Sequence, residues 1–315
     1  MNSLNLKPAL AMLFAGCVLA SFLHAQAPQR PKILGLAHVA FFAHDFDASR
    51  KFYSDFLGFD EVFPLKNPDG TPSMTFFKIN DRQYIELFPE KTAGSDRLSH
   101  IALETDNAEA LRQYLASNGV AVPSHAETGR IGNLAFNITD PAGHNVEMVQ
   151  YMPAGQSMLN VGKHLGPNRI SQHMTHAGII VTDLEPEYRF YTQVLGFTET
   201  WRGSSNGTVL SWINLKAPDS DDYIELMLAK PAPPENARGG QHHLCLVVPD
   251  VPDAVAKLKA SPYIKDYKRE IESHLGKNRK RQANLFDPDG TRTEIMEPKT
   301  IDGLPTPPSP APPPQ

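Results

Sequence analysis

The chain is short of cysteine. Two occur among 315 residues, Cys17 and Cys245, too few for a disulfide framework to hold the fold. It also lacks a basic excess, because 30 Lys and Arg face 35 Asp and Glu, for a formal charge of −5. Nucleic-acid binding leans on phosphate neutralisation, so that class of partner is excluded first. Glycine-rich nucleotide loops are missing too, and Gly239-Gly240 reads only as a turn before a strand. One apolar run stands out, Ala9 to Leu23; at about 15 residues it falls short of the ~20 that a membrane span needs. What is present is ordinary for a globular protein: 41% hydrophobic and 21% charged residues. At roughly 100–200 residues per domain, the length suggests two domains.

The N-terminus predicts export. Residues 1–27 hold one basic residue, Lys7, then the apolar run, then Leu23-His24-Ala25-Gln26-Ala27. A basic start, a short apolar stretch and small residues at a cleavage point make a signal peptide. Cleavage is expected after Ala25 or Ala27. Phe14-Ala15-Gly16-Cys17 is a poorer lipoprotein box, since Phe stands where Leu is usual and the apolar run continues past Cys17. Cleavage would remove Lys7, taking the formal charge from −5 to −6, and leave Cys245 alone. An internal disulfide is then impossible even in an oxidising compartment.

The rest is one unit written four times. Arg50-Lys51-Phe52-Tyr53-Ser54-Asp55-Phe56-Leu57-Gly58-Phe59 is echoed by Tyr188-Arg189-Phe190-Tyr191-Thr192-Gln193-Val194-Leu195-Gly196-Phe197, and Tyr84-Ile85-Glu86-Leu87 by Tyr223-Ile224-Glu225-Leu226. Each half divides again. An apolar strand carries a histidine near its start: His38, His100, His176 and His243. An Asp able to cap a helix follows, at Asp45 or Asp47, Asp106, Asp183, and Asp250 or Asp253. Apolar residues then recur at helical spacing, and Gly58, Gly119 and Gly196 mark helix ends. Strands with turns such as Asp140-Pro141-Ala142-Gly143 and Asp287-Pro288-Asp289-Gly290 complete the unit. The last strand of each copy carries a glutamate: Glu86, Glu147, Glu225 and Glu294.

The predicted fold class is therefore α+β, four βαβββ modules forming two domains, 33–151 and 171–298. Residues 152–170 form the linker, and 299–315 read as a proline-rich tail, disordered or extended. Modules could pair within a half or across halves, one with four and two with three; the sequence allows both.

This repeat resembles the vicinal-oxygen-chelate superfamily, which includes glyoxalase I, extradiol dioxygenases, methylmalonyl-CoA epimerase and bleomycin-resistance proteins. The resemblance covers nearly all of the chain after the signal. It implies a cup-shaped sheet around a metal, with ligands at His38, Glu86, His100 and Glu147 in the first half and His176, Glu225, His243 and Glu294 in the second. His243 rather than the adjacent His242 aligns with His100. Imidazole and carboxylate ligands favour Zn, Ni, Co, Fe or Mn. Four protein ligands leave two positions of an octahedral ion for neighbouring substrate oxygens, so that a metal-bound enediolate can be stabilised or dioxygen chemistry supported. In glyoxalase-like relatives the last glutamate is the general base, which implies Glu147 or Glu294 here.

The ligand set resembles glyoxalase I most, with a lyase or isomerase acting on a small oxygen-rich substrate. An arginine four positions after the first ligand, which contacts the glutathione carboxylate, is replaced by Phe42 and Ile180, and an asparagine four after the first glutamate by Glu90 and Ala229. Both departures count against glutathione. A ring-cleaving dioxygenase is the alternative, although Asn137 and Asn284 stand at its tyrosine position and His274 is slightly out of register. A non-catalytic binder is the third reading. His44, His125, His144, His164, His173 and His274 have no matching copies and are expected on the surface or in loops. Asn137 and Asn206 fit a glycosylation pattern that is common by chance. The expected partner is a small molecule, with no nucleic acid and no membrane span. Four fused modules make a second chain unnecessary, so a monomer suffices.

Overall fold

Apolar residues alternate with small ones along β1 (Ile33–Ala43), and a bend at Asp45 turns the chain into α1 (Phe46–Lys51). The Asp45 carboxylate accepts from the Ala48 amide, as an N-cap should. The helix continues as a π-helical turn over Phe52–Phe56 and stops at Gly58, whose φ of +78° favours glycine. Three strands follow: β2 (Asp60–Lys66), β3 (Pro72–Lys78) and β4 (Tyr84–Pro89). The second module repeats the order with β5 (Leu98–Thr105), α2 (Ala108–Ser117), β6 (Glu127–Thr128), β7 (Leu134–Thr139) and β8 (Asn145–Gln150). Here Asn107 caps the helix, not Asp106, which instead accepts from the Lys32 amide. This computed structural model describes residues 29–315; the expected signal segment, with Cys17, lies outside the described residues.

A linker carrying the short α3 (Gln156–Leu159) leads to the second half. Its first module is β9 (Met174–Val181), α4 (Leu184–Arg189) with a π-helical turn over Phe190–Val194, β10 (Thr198–Gly203), β11 (Trp212–Lys216) and β12 (Tyr223–Leu228). The last is β13 (His243–Val247), α5 (Val251–Ala260), β14 (His274–Leu275), β15 (Arg281–Phe286) and β16 (Arg292–Met296). Asp250 caps α5 through the Asp253 amide, whereas Asp183 sits at the α4 cap position without a side-chain bond. Both halves are thus α+β, each a curled eight-stranded sheet with its helices on one face.

Strand order settles the module pairing. The first sheet runs β2-β3-β4-β1-β5-β8-β7-β6 and the second β10-β11-β12-β9-β13-β16-β15-β14. Modules one and two share a sheet, as do three and four. In each sheet the seam between modules is antiparallel, β1 on β5 and β9 on β13, flanked by parallel pairs.

Helix packing follows the other pairing. Phe52 and Phe56 from module one stack on Tyr263 and Tyr267 of module four, with ring centroids 5.0–6.4 Å apart. The Tyr114 hydroxyl of module two donates to the Val194 carbonyl of module three. One apolar core therefore runs through both domains on the helical side of the sheets. Truncating fully buried Phe52 to Ala would cost about 3–5 kcal/mol.

Of the two forms expected of the proline-rich tail, disordered or extended, the structure shows the extended one. Residues 304–315 are extended but seated on the second domain. The Leu210 amide donates to the Pro312 carbonyl and the Ser309 amide to the Arg202 carbonyl, while the Thr306 hydroxyl donates to the Asn278 carbonyl. Ala311 is buried in the core. The linker is tied down as well: the fully buried Lys78 ammonium donates to the carbonyls of Asn160 and Lys163 and pairs with Asp81.

Candidate metal centres

Each central strand of the first sheet delivers one of the predicted residues. His38 lies on β1, Glu86 on β4, His100 on β5 and Glu147 on β8. Register puts them on one face. Ala40 pairs with both Glu86 and His100, while Ala102 pairs with both His38 and Glu147. Residues paired across strands share a face, and residues two apart along a strand do too, so all four point into the concave side. Val39, Phe41, Ile85, Leu87, Ile101 and Met148 point the other way, into the core.

The second sheet repeats this. Gly178 pairs with Glu225 and His243, and Cys245 with His176 and Glu294. Gly178 stands where the first sheet has Ala40, and a Cβ there would collide with the His243 ring. Cys245, the residue left after the expected cleavage, is buried and unpaired on this face, and burial raises its thiol well above the usual range.

The side chains converge. In the first cup the Nε2 atoms of His38 and His100 are 2.9 Å apart. Glu86 Oε2 lies 3.3 Å from one and 3.2 Å from the other, and Glu147 Oε2 is 3.7 Å from His100. In the second, His176 and His243 face each other through Nε2 at 3.0 Å. Glu294 Oε2 sits 3.5 and 3.4 Å from them, and Glu225 Oε2 4.0 and 3.5 Å. All eight predicted residues are thus gathered, four to a cup. His242 is excluded from the cup, turned instead toward Asp96.

Electrostatics differ between the cups. Burial opposes charge on Glu86, but the imidazoles of His100 and His38 beside its carboxylate outweigh it and bring its pKa down to about 2. Burial likewise opposes charge on His38, and Glu86 with Glu147 behind it reverses the sign, so this imidazole is raised. In the second cup burial and the neighbouring Arg292 guanidinium push His243 down to about 3. Burial raises Glu225, with Glu294 adding to the effect, whereas His176 and His243 hold Glu294 well below the usual carboxylate range.

These donors suit a divalent ion. Two imidazole nitrogens facing each other cannot both carry a proton, and a cation between them removes the conflict. Glu86 Oε2 is a buried oxygen without a geometrically sound hydrogen bond. His243 Nδ1 lies 2.6 Å from the Gln241 carbonyl and 2.7 Å from Arg292 Nη2, so the ring is held from behind with its Nε2 facing the cup.

The surroundings were less legible from sequence. The first cup opens to a cavity of about 100 Å³ walled by Phe63, Phe76, Tyr84 and Tyr151. The second opens to about 270 Å³ walled by Trp201, Trp212, Lys277, Asn284 and Arg292. His274, expected merely at the surface, lines this second cavity. Arg292 escaped notice because the matching position in the first domain is Asn145; the repeat draws the eye to what is shared. His44, His125 and His173 are exposed or half-exposed, as expected of loop histidines.

Comparison with known proteins agrees with this geometry. The family model described as Glyoxalase/Bleomycin resistance protein/Dioxygenase superfamily matches twice, over residues 35–148 and 173–295. No curated relative matches the chain. Among solved structures, the Mn(II)-bound glyoxalase from Novosphingobium aromaticivorans superposes with a TM-score of 0.62 at 20% identity, covering 85% of this chain and 83% of that one. The 2,3-dioxygenase LapB from Pseudomonas sp. KL28 gives 0.61 at 16%, covering 88% and 97%. A variant of homoprotocatechuate 2,3-dioxygenase from B. fuscum gives 0.65 at 17%, covering 91% and 77%. At such identities the likeness to these structures is one of fold. The two family matches take in both cups and most of the chain, so the protein belongs to the glyoxalase/bleomycin resistance protein/dioxygenase superfamily.

Proposed function

We propose that the protein is a divalent-metal-dependent enzyme of the glyoxalase type, a lyase or isomerase that moves a proton on a small, oxygen-rich, anionic substrate. Its working centre in this reading is the second cup. The observation that carries the reading is the second carboxylate in each cup, Glu86 beside Glu147 and Glu225 beside Glu294. Two histidines and one glutamate suffice for a three-donor site, so a further glutamate is available as base. A divalent ion, when bound, supplies Lewis acidity to neighbouring substrate oxygens.

The chain's own residues supply the rest. His176, His243 and Glu225 would hold the ion, and Glu294, beside both imidazoles, would be the carboxylate left to take a proton from a carbon held over the cup. Arg292 and Lys277 on the cavity wall would orient an anionic group. Trp201 and Trp212 offer flat apolar walls that exclude water. The first cup, with its smaller aromatic cavity, would hold a metal but admit little else. Export, with cleavage near residue 27, is part of the proposal and rests on the N-terminal sequence alone.

Deuterium incorporation from heavy water into small carboxylated 1,2-dicarbonyl adducts tests the reading. Glu294→Gln should slow exchange about 10²–10⁴-fold, Glu147→Gln should leave it nearly intact, and the double variant should be inactive yet folded. Full activity in the double variant would remove the general-base role. The second reading, a ring-cleaving dioxygenase, draws support from His274 on the same wall. Oxygen consumption with catechols, dependent on iron or manganese, would put it first.

A further inference from the structure

A third group of metal-binding side chains lies away from both cups, where the two domains meet. Asp140 and His144 come from the turn joining β7 to β8 in the first domain, and Glu187 from α4 in the second. One donor atom from each falls within 4.8 Å of the other two. His144 Nδ1 is 2.8 Å from Asp140 Oδ2. Glu187 Oε2 accepts from the Ala142 amide at 2.8 Å, but its Oε1 has no partner although the residue is 0% exposed. Two buried carboxylates therefore meet with one oxygen unanswered. Among the described residues no lysine or arginine pairs with either of them.

The molecule contains its own control. Module repetition places Asp287 where the first domain has Asp140, Thr291 for His144, and, across the interface, Ser49 for Glu187 and Tyr53 for Tyr191. The turn and the tyrosine are kept at both ends of the interface. Only one end replaces two hydroxyl residues with a histidine and a glutamate. A turn that needed only to be closed would not require them, because the other end packs Ser49 and Thr291 at full burial.

We propose that Asp140, His144 and Glu187 form an interdomain site for a divalent cation that fastens the two domains together. One imidazole and two carboxylates suit zinc or manganese better than calcium, which prefers all-oxygen sites. Ligand bonds of about 2.0–2.2 Å place neighbouring donors roughly 3 Å apart, so the 2.8 Å between His144 and Asp140 needs little adjustment. The site is independent of the reading given to the cups.

Anomalous diffraction from crystals of the full chain grown with Zn²⁺ tests this position by position. A peak within bonding distance of all three residues is expected. In solution, a Glu187→Ser/His144→Thr variant copies the residues of the other end. It should bind one zinc fewer per chain than the parent by elemental analysis and gain less in Tm when Zn²⁺ is added. Anomalous peaks confined to the two cups would overturn the proposal, as would an unchanged zinc count in the variant. Should that variant fail to fold, the diffraction result on the unaltered chain decides. Failure of the cups would show separately, as missing peaks at His38/His100 and His176/His243.

Discussion

The other end of the interface makes a sharp prediction about pH. Asp287 is 3% exposed, and its Oδ2 has no partner. Burial raises its pKa from 3.8 to about 7, outweighing the amides of Thr291 and Asp289 that donate to Oδ1. The folded state thus holds a proton that the unfolded chain releases above pH ~4. Its stabilising contribution is complete below pH 4 and is lost as pH rises through 7. Asp287→Asn keeps the Oδ1 acceptor and removes the titration. At about 1.4 kcal/mol per unit, the native chain should lose about 2.5 kcal/mol relative to the variant between pH 5 and pH 8. Chemical denaturation of both proteins at the two pH values measures this double difference. Parallel stabilities across that range would refute the reasoning.

Arg292→Met should raise KM for a carboxylated substrate at least about tenfold with a smaller change in kcat, measured by steady-state kinetics; an unchanged KM would move the anion site elsewhere. Deleting residues 305–315 removes three hydrogen bonds and the buried Ala311, which at about 0.5–1.5 kcal/mol each should cost roughly 2–4 kcal/mol. A thermal melt indistinguishable from the intact chain would show the tail to be ornamental.

Much of this architecture could be read from the sequence because it is repeated. A histidine and a glutamate recurring at the same places in four copies mark the cup face, and strand alternation then fixes which neighbours join them. Asp45 and Asp250 cap helices as expected, since the cap needs only a short acceptor in the right place. Asn107 displaced Asp106 because both are competent caps one residue apart, and the chain path decides. Which modules share a sheet depends on long-range pairing that no local pattern encodes. The seating of the tail was illegible for a related reason: proline-rich composition predicts extended backbone, but whether that backbone finds partners depends on groups at Arg202 and Leu210, far away in sequence. Arg292 and the Asp140–His144–Glu187 group break the repeat, so the pattern that marks the cups does not mark them.

The central claim is that the cups hold divalent metal. Elemental analysis of the chain purified without chelators tests it most directly, alongside His38→Ala/His100→Ala and His176→Ala/His243→Ala variants. The account predicts a first-row divalent ion in the parent and the loss of one equivalent in each variant. A parent protein free of metal that takes up none on reconstitution would contradict it, leaving two His–Glu sets that only hydrogen-bond and a binding protein in place of an enzyme.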